Sequence, residues 1–365
     1  MAKESEIMRK RREAREAILA LKDQIPSAKI LNLFGRFFAR NATNRNVIYW
    51  VSNFVILHLL MYGLWIALAL VINELEEKTY LWKAAALAAE MQIIGLILNY
   101  HLIRRFLDSI ADQIVAKMNN VDDLSRFVAW LSKSLSATYV ILFTLGFELI
   151  WTSLGVGAIS IVYNDFVGYG FSLAVIFIGV IAGVALHGVY WDNFLIFNLR
   201  TYQYELNAFS PADSEIISDI TDICNVQLYG LALYFAFYNL FSATGLVESK
   251  IRLVFAIPFF VIIWVTIFSQ FLAARTTLGH IINKAKWKTL NKIQIHINSI
   301  EATNELSEKE ASEKLLRLAD IHRRVMASKS NIFDLKSIST FFSQLMLPLL
   351  GLLLGNLDKV LKLLR

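Results

Sequence analysis

The chain has 365 residues, 56% of them hydrophobic and only 18% charged, with a formal net charge of +6. Soluble domains run nearer about 45–50% apolar and about 25% charged. The excess apolar content sits in blocks, which argues against a single water-soluble core. Cys224 is the lone cysteine, which excludes an intrachain disulfide and any cysteine-based metal cluster.

Residues 1–46 are basic and polar, with eleven Lys and Arg. They contain no early apolar core and no small-residue cleavage site, so the expectation is a cytoplasmic segment without a cleaved secretory signal. The stretch Arg9–Arg15 joins a helix-like Ala14–Leu21. Its plain reading is a solvated topology signal. Its sharper reading is contact with anionic lipid headgroups, at about 1 kcal/mol per basic residue.

Long apolar runs follow. Residues 47–72, 226–247 and 253–274 carry no charged side chain, and runs of about 18 or more such residues read as membrane-spanning helices. Six spans are predicted, at about 47–72, 81–103, 137–162, 169–197, 228–247 and 253–274. A seventh, about 338–355, contains Pro348, Gly351 and Gly355. It either spans or folds back within one leaflet, because a proline is tolerated where neighbours satisfy the freed carbonyl.

Lys and Arg set the orientation. Over the first six spans, twenty-nine lie on the side of the N-terminus and four on the other. The N-terminus and the long connections are therefore expected in the cytoplasm. Ser210 and Pro211, with Asp213 and Glu215 behind them, predict a helix start that runs into the fifth span as one rod. The fourth span is expected to continue past Trp191 through Tyr202 and Tyr204. The sixth is expected to pass Arg275 into 281–300. Ser307 and Glu310 form a capping-box pattern before a stripe of Leu315, Leu318, Ile321 and Val325.

The fold expected is therefore an all-α polytopic membrane bundle of six to seven spans with a cytoplasmic helical extension. Its parts are 1–46, a bundle over 47–274, a cytoplasmic helical hairpin over 275–336 and a C-terminal apolar segment over 337–365.

Ionisable groups inside spans are the natural functional candidates. His58, Glu90, Glu148 and His187 fall near the middle of four different spans. They read either as a polar pathway or as groups satisfied by neighbouring helices. No His or Glu spacing within one helix supports a metal. Asp192, with Tyr190 and Trp191, reads as the inner interface of a span. Gly179-x-x-x-Gly183 reads as close helix packing. The aromatics of the fifth span, Tyr229, Tyr234, Phe235, Phe237, Tyr238 and Phe241, read as bundle packing or as the lining of a pocket. No nucleotide loop, zinc motif or nucleophile elbow is present, so neither an enzyme nor a cofactor is expected, and nucleic acid is not an expected partner.

The layout resembles the seven-helix insect odorant and gustatory receptors. The shared features are length, a cytoplasmic N-terminus, short outer connections, prolonged inner ends of the fourth to sixth spans and a final apolar segment after a cytoplasmic helix. The family's final-helix signature is Thr-Tyr, five apolar residues, then Gln-Phe. This chain reads Thr340-Phe341-Phe342-Ser343-Gln344-Leu345 in its place. The resemblance implies a pore along the last helix of an oligomer. Ser339, Thr340, Ser343 and Gln344 are then expected to face water near its inner end. The first functional expectation is thus an ion-conducting homo-oligomer in a plasma or bacterial inner membrane. A proton-coupled solute transporter and a non-conducting signalling or assembly protein are the alternatives.

Overall fold

The computed structural model describes residues 2–25, 29, 79–162, 166–243, 249–302, 308–329 and 335–355. The predicted first span, 47–72, lies outside them, and so does His58. Nine helices account for the regular structure of the described residues, apart from single turns and one isolated bridge between Met118 and Tyr204. They are α1 Ala2–Leu21, α2 Thr79–Ser109, α3 Val121–Ser134, α4 Ala137–Val162, α5 Phe166–Leu199, α6 Glu215–Ala243, α7 Ser249–Ala302, α8 Glu308–Ala327 and α9 Leu335–Gly355. A π turn, Ile110–Ile114, and a short helical turn, Val115–Lys117, prolong α2.

Among the described residues, Glu215–Leu240 is long and apolar enough to cross a membrane. A second such element exists if Val121–Ser134 and Ala137–Ser153, bent by 48°, count as one. The chain is therefore all-α with a hint of membrane association.

One end of the molecule is a densely buried base. Ala14, Ile18, Leu21 and Ile25 recur at helical spacing and are buried. They join a cluster with Phe106, Leu107 and Ile110, with Leu124, Phe127 and Leu131 of α3, and with Ile216, Ile220, Leu278 and Ile282. Each fully buried aliphatic side chain contributes about 1.5–3 kcal/mol. Polar contacts orient α1 on this surface. Arg11 Nε donates to the Met118 carbonyl at 2.9 Å, Arg11 also pairs with Glu205, Arg15 pairs with Asp112 at 2.7 Å and Lys22 pairs with Asp108. The reading of Arg9–Arg15 as a solvated signal is corrected in part: α1 is docked, and Arg11 and Arg15 meet carboxylates far away in sequence, while Arg9 and Lys10 pair with Glu13 on the exposed side of the same helix.

Two helix boundaries also differ from expectation. The fourth predicted rod ends at Leu199, short of Tyr202. The Tyr204 hydroxyl donates to the Leu199 carbonyl at 2.8 Å, taking a place that the next helical turn would fill. The chain then doubles back, and Glu205 N donates to Lys117 O at 2.8 Å. The buried Asp123 carboxylate accepts from Gln203 N at 3.0 Å, and Tyr202 meets the edge of Phe127, ring centroids 5.2 Å apart. At the other boundary, Pro211–Asp213 forms a separate 3-10 turn, Ser214 is extended and α6 starts at Glu215. The Ser210 hydroxyl bonds Asp213 without capping a helix.

α7 runs 54 residues without a break, about 81 Å at about 1.5 Å per residue. Its far end packs on α8 through Leu290 and Ile293 against Leu318, Ile321 and Val325. Lys286 Nζ donates to the Met326 and Ser328 carbonyls at 2.6 and 2.9 Å. A cation there satisfies the free carbonyls and faces the negative end of α8. Ser307 lies outside the described residues.

At the other end of the molecule, α4 and α5 pair closely. A Cβ on Gly183 would stand 2.9 Å from Thr144 Cγ2 and 3.3 Å from its Cα, so the glycines serve close approach as the Gly-x-x-x-Gly spacing implies. α9 lies along α6, with Gly351 set against the Ala236 carbonyl so tightly that a side chain has no room.

Candidate functional site

The helix expected to carry a path, α9, continues through Pro348. Pro348 has no N–H for the turn before it, and Asn239 Nδ2 of α6 donates to the Pro348 carbonyl at 3.0 Å. Phe341 stacks on Phe271 of α7, with centroids 4.0 Å apart. The opposite face of α9 is open, with Phe342, Met346, Leu350 and Leu354 exposed.

The four polar candidates divide between these faces. Ser339 and Ser343 are exposed, and Thr340 is half-buried. The Tyr229 and Ser343 hydroxyls bond at 3.0 Å. Gln344 is fully buried, and neither polar atom of its amide has a partner among the described residues. The expectation that Gln344 faces water is corrected for this chain: one residue past Ser343, a helix has turned by about 100°.

Of the ionisable candidates, Glu148 and His187 are held apart by α5. Glu148 Oε1 accepts from Thr152 Oγ1 at 2.7 Å and lies against Gly179. His187 meets Phe143, ring centroids 5.4 Å apart. Gly179 and His187 are eight residues apart on α5, about 12 Å along the axis, so Glu148 and His187 are not a pair. Glu90 lies nine residues before Asn99 on α2, and Asn99 meets α5 at Ala185 and Gly188. Among the described residues, no group of three His, Cys, Asp or Glu side chains is arranged to hold a metal.

What does converge is a set of amides and one carboxylate. A cavity of about 90 Å³ lies between α2, α4, α5, α6 and α7. Its polar lining is Asn99, Asp192, Gln227, Tyr234 and Gln270, and its apolar walls include Leu98, Leu186, Leu231, Phe235 and Trp151. Asn99 Nδ2 donates to the Ala185 carbonyl, and Gln270 Nε2 donates to the Val189 carbonyl at 3.2 Å. Gln227 stands beside the Asp192 carboxyl. Asp192 Oδ1, Gln227 Nε2 and Gln270 Oε1 are buried without partners among the described residues. Tyr234 also packs on α2, where a Cβ at Gly95 would lie 3.2 Å from its ring. Of the aromatic run of the fifth predicted span, Tyr234 and Phe235 therefore line the cavity, Tyr238 packs beside them, and Tyr229 and Phe237 are exposed.

A second cavity of about 150 Å³ adjoins the first, toward the base. It is lined by Arg105, Ser109, Gln113 and Asp222, and it shares Leu102 and Gln227 with the upper cavity. Leu102 fills the notch at Gly230, where a Cβ would stand 2.9 Å from Leu102 Cδ1.

Sequence reasoning passed over Asn99, Gln227 and Gln270 because each sits near the inner end of a predicted span, where polar residues are ordinary. The usable signal was their common depth on four helices, with Asp192 as the fourth member. The interfacial reading of Trp191 is corrected as well. Its ring is buried, its Nε1 donates to Ser134 Oγ at 2.8 Å and Phe106 meets it edge-on at 6.0 Å.

Comparison of the chain with protein-family models, with curated proteins and with solved structures found no match.

Proposed function

We propose that this chain is a multi-pass membrane protein that assembles as a homo-oligomer and conducts ions along α9. The observation that carries the reading is the open face of α9: apolar over most of its length, with Ser339 and Ser343 at one end and no described helix covering it. Side chains of this grading suit a path with a hydrated mouth and an apolar constriction.

Support for the membrane setting comes from inverted amphipathicity. Ile141, Leu145 and Leu149 form an exposed stripe on α4, and Val261, Val265, Phe268 and Leu272 form one on α7. Apolar stripes of this extent on an outer surface need lipid or a partner chain to cover them. α2, α5 and α7 have 31, 34 and 54 residues, all longer than the about 20 that a bilayer requires. With the Lys and Arg bias, this supports six to seven spans with the base in the cytoplasm of a plasma or bacterial inner membrane. The cytoplasmic base would then hold the protomers while α9 faces the symmetry axis.

The test is single-channel recording from the full chain in planar bilayers. Ser343→Trp should reduce conductance steeply. Wild-type protein that carries no current, or Ser343→Trp currents equal to wild type, would overturn the reading.

A further inference from the structure

We infer that the cavity between α2, α4, α5, α6 and α7 binds a small organic ammonium, a primary amine with an apolar body, and that it fills from the side of the base. The argument starts from which polar atoms lack partners. Gln270 gives its Nε2 hydrogen to Val189 O, which leaves Oε1 as the acceptor without a partner. Asp192 presents a second acceptor, Oδ1, one helical turn beyond Val189. Both side chains are more than nine-tenths buried. These two buried acceptors outnumber the one buried donor beside them, Gln227 Nε2, so they call for a further donor, and a positive one offsets the cost of burying the carboxylate.

The remaining walls agree with that chemistry. Trp151, Tyr234 and Phe235 offer aromatic surface, which attracts a cation at its face. Leu98, Leu186 and Leu231 complete an apolar seat for the ligand's body. Few precisely placed polar groups in a mostly apolar cavity is the usual build of a small-molecule site. A metal ion fits poorly, since one carboxylate and neutral amides supply too few hard ligands in so apolar a setting.

The entrance follows from the second cavity. It carries Arg105 and Asp222 and adjoins the binding cavity through Leu102 and Gln227. Leu102 is the plug, seated on Gly230. Withdrawal of one leucine side chain joins the two spaces. The inference is independent of conduction along α9, which neither cavity touches.

The experiment uses the full chain in lipid nanodiscs, with benzylamine hydrochloride as the probe and benzyl alcohol as its neutral counterpart. At ten times its dissociation constant, benzylamine should raise the unfolding midpoint by about 2 °C, and benzyl alcohol should not. Asp192→Asn should abolish the shift, and Gln270→Leu should weaken binding severalfold. Should Asp192→Asn fail to fold, Gln270→Leu decides by the same measure. Leu102→Trp should slow association of the probe. An equal shift from the alcohol, no shift from benzylamine, or wild-type binding in both Asp192→Asn and Gln270→Leu would overturn the site; an unchanged association rate in Leu102→Trp would overturn the entrance.

Discussion

The base and the upper bundle are built by opposite rules. In the base, apolar side chains from six helices turn inward, and the charges around them are paired: Arg11 with Glu205, Arg15 with Asp112, Lys22 with Asp108. In the upper bundle, large apolar side chains such as Leu149 and Val265 turn outward, while buried atoms of Asp192, Gln227, Gln270 and Gln344 lack partners among the described residues. The base pairs charges at its surface and leaves few buried polar atoms without partners among the described residues, Thr277 Oγ1 beside Leu278 being one. The upper bundle leaves polar capacity inside and apolar surface outside, the arrangement that the proposed membrane setting and the proposed ligand both require.

That contrast is open to attack by substitution. The largest effect is expected at Phe127, which is fully buried in the base. Phe127→Ala should cost about 3–5 kcal/mol through lost transfer energy and a residual cavity, read as a lower unfolding midpoint. Next comes Leu149, 72% exposed and central in α4. With lipid outside, Leu149→Arg should cost about 2.5–3.5 kcal/mol, read by membrane-insertion assay. A cost below about 0.5 kcal/mol, the usual size for an exposed surface change in water, would break the comparison.

Tyr204 ranks third. Tyr204→Phe removes the hydroxyl that bonds Leu199 O and should cost about 1 kcal/mol. Burial also holds the Tyr204 phenol well above its ordinary value of 10.0. Its contribution is therefore complete below that value and is lost as pH rises past it, because the unfolded phenol ionises while the buried one resists. Midpoints measured from neutral to strongly alkaline pH should fall less steeply in Tyr204→Phe than in wild type. The smallest effect belongs to Arg15, whose half-exposed pair with Asp112 should contribute at most about 1 kcal/mol and fade with salt.

Local regularities were legible in the sequence and long-range ones were not. The helical rods, the unbroken run through Arg275 and the stripe of Leu318, Ile321 and Val325 all follow from periodicity and the placing of breakers. The Gly179 and Gly183 spacing announced the α4–α5 contact. The docking of α1 was hidden because its carboxylate partners, Asp108, Asp112 and Glu205, lie far along the chain. The stop at Leu199 was hidden for a related reason: no proline or glycine marks it, and the phenol that ends the helix comes from five residues further on. The cavity escaped notice because a carboxamide at a span's end looks like interface until three others arrive at its level.

One consequence follows from the length of α7. Gln270 in the cavity and Lys286, which holds the end of α8, ride on the same uninterrupted rod. From Gln270 to Ala302 the rod extends about 48 Å, so a tilt of about 5° at the cavity displaces its tip by about 4 Å. Whatever occupies the bundle's interior thus acts at the short end of a lever, and the hairpin at the far end moves farther than the cavity does.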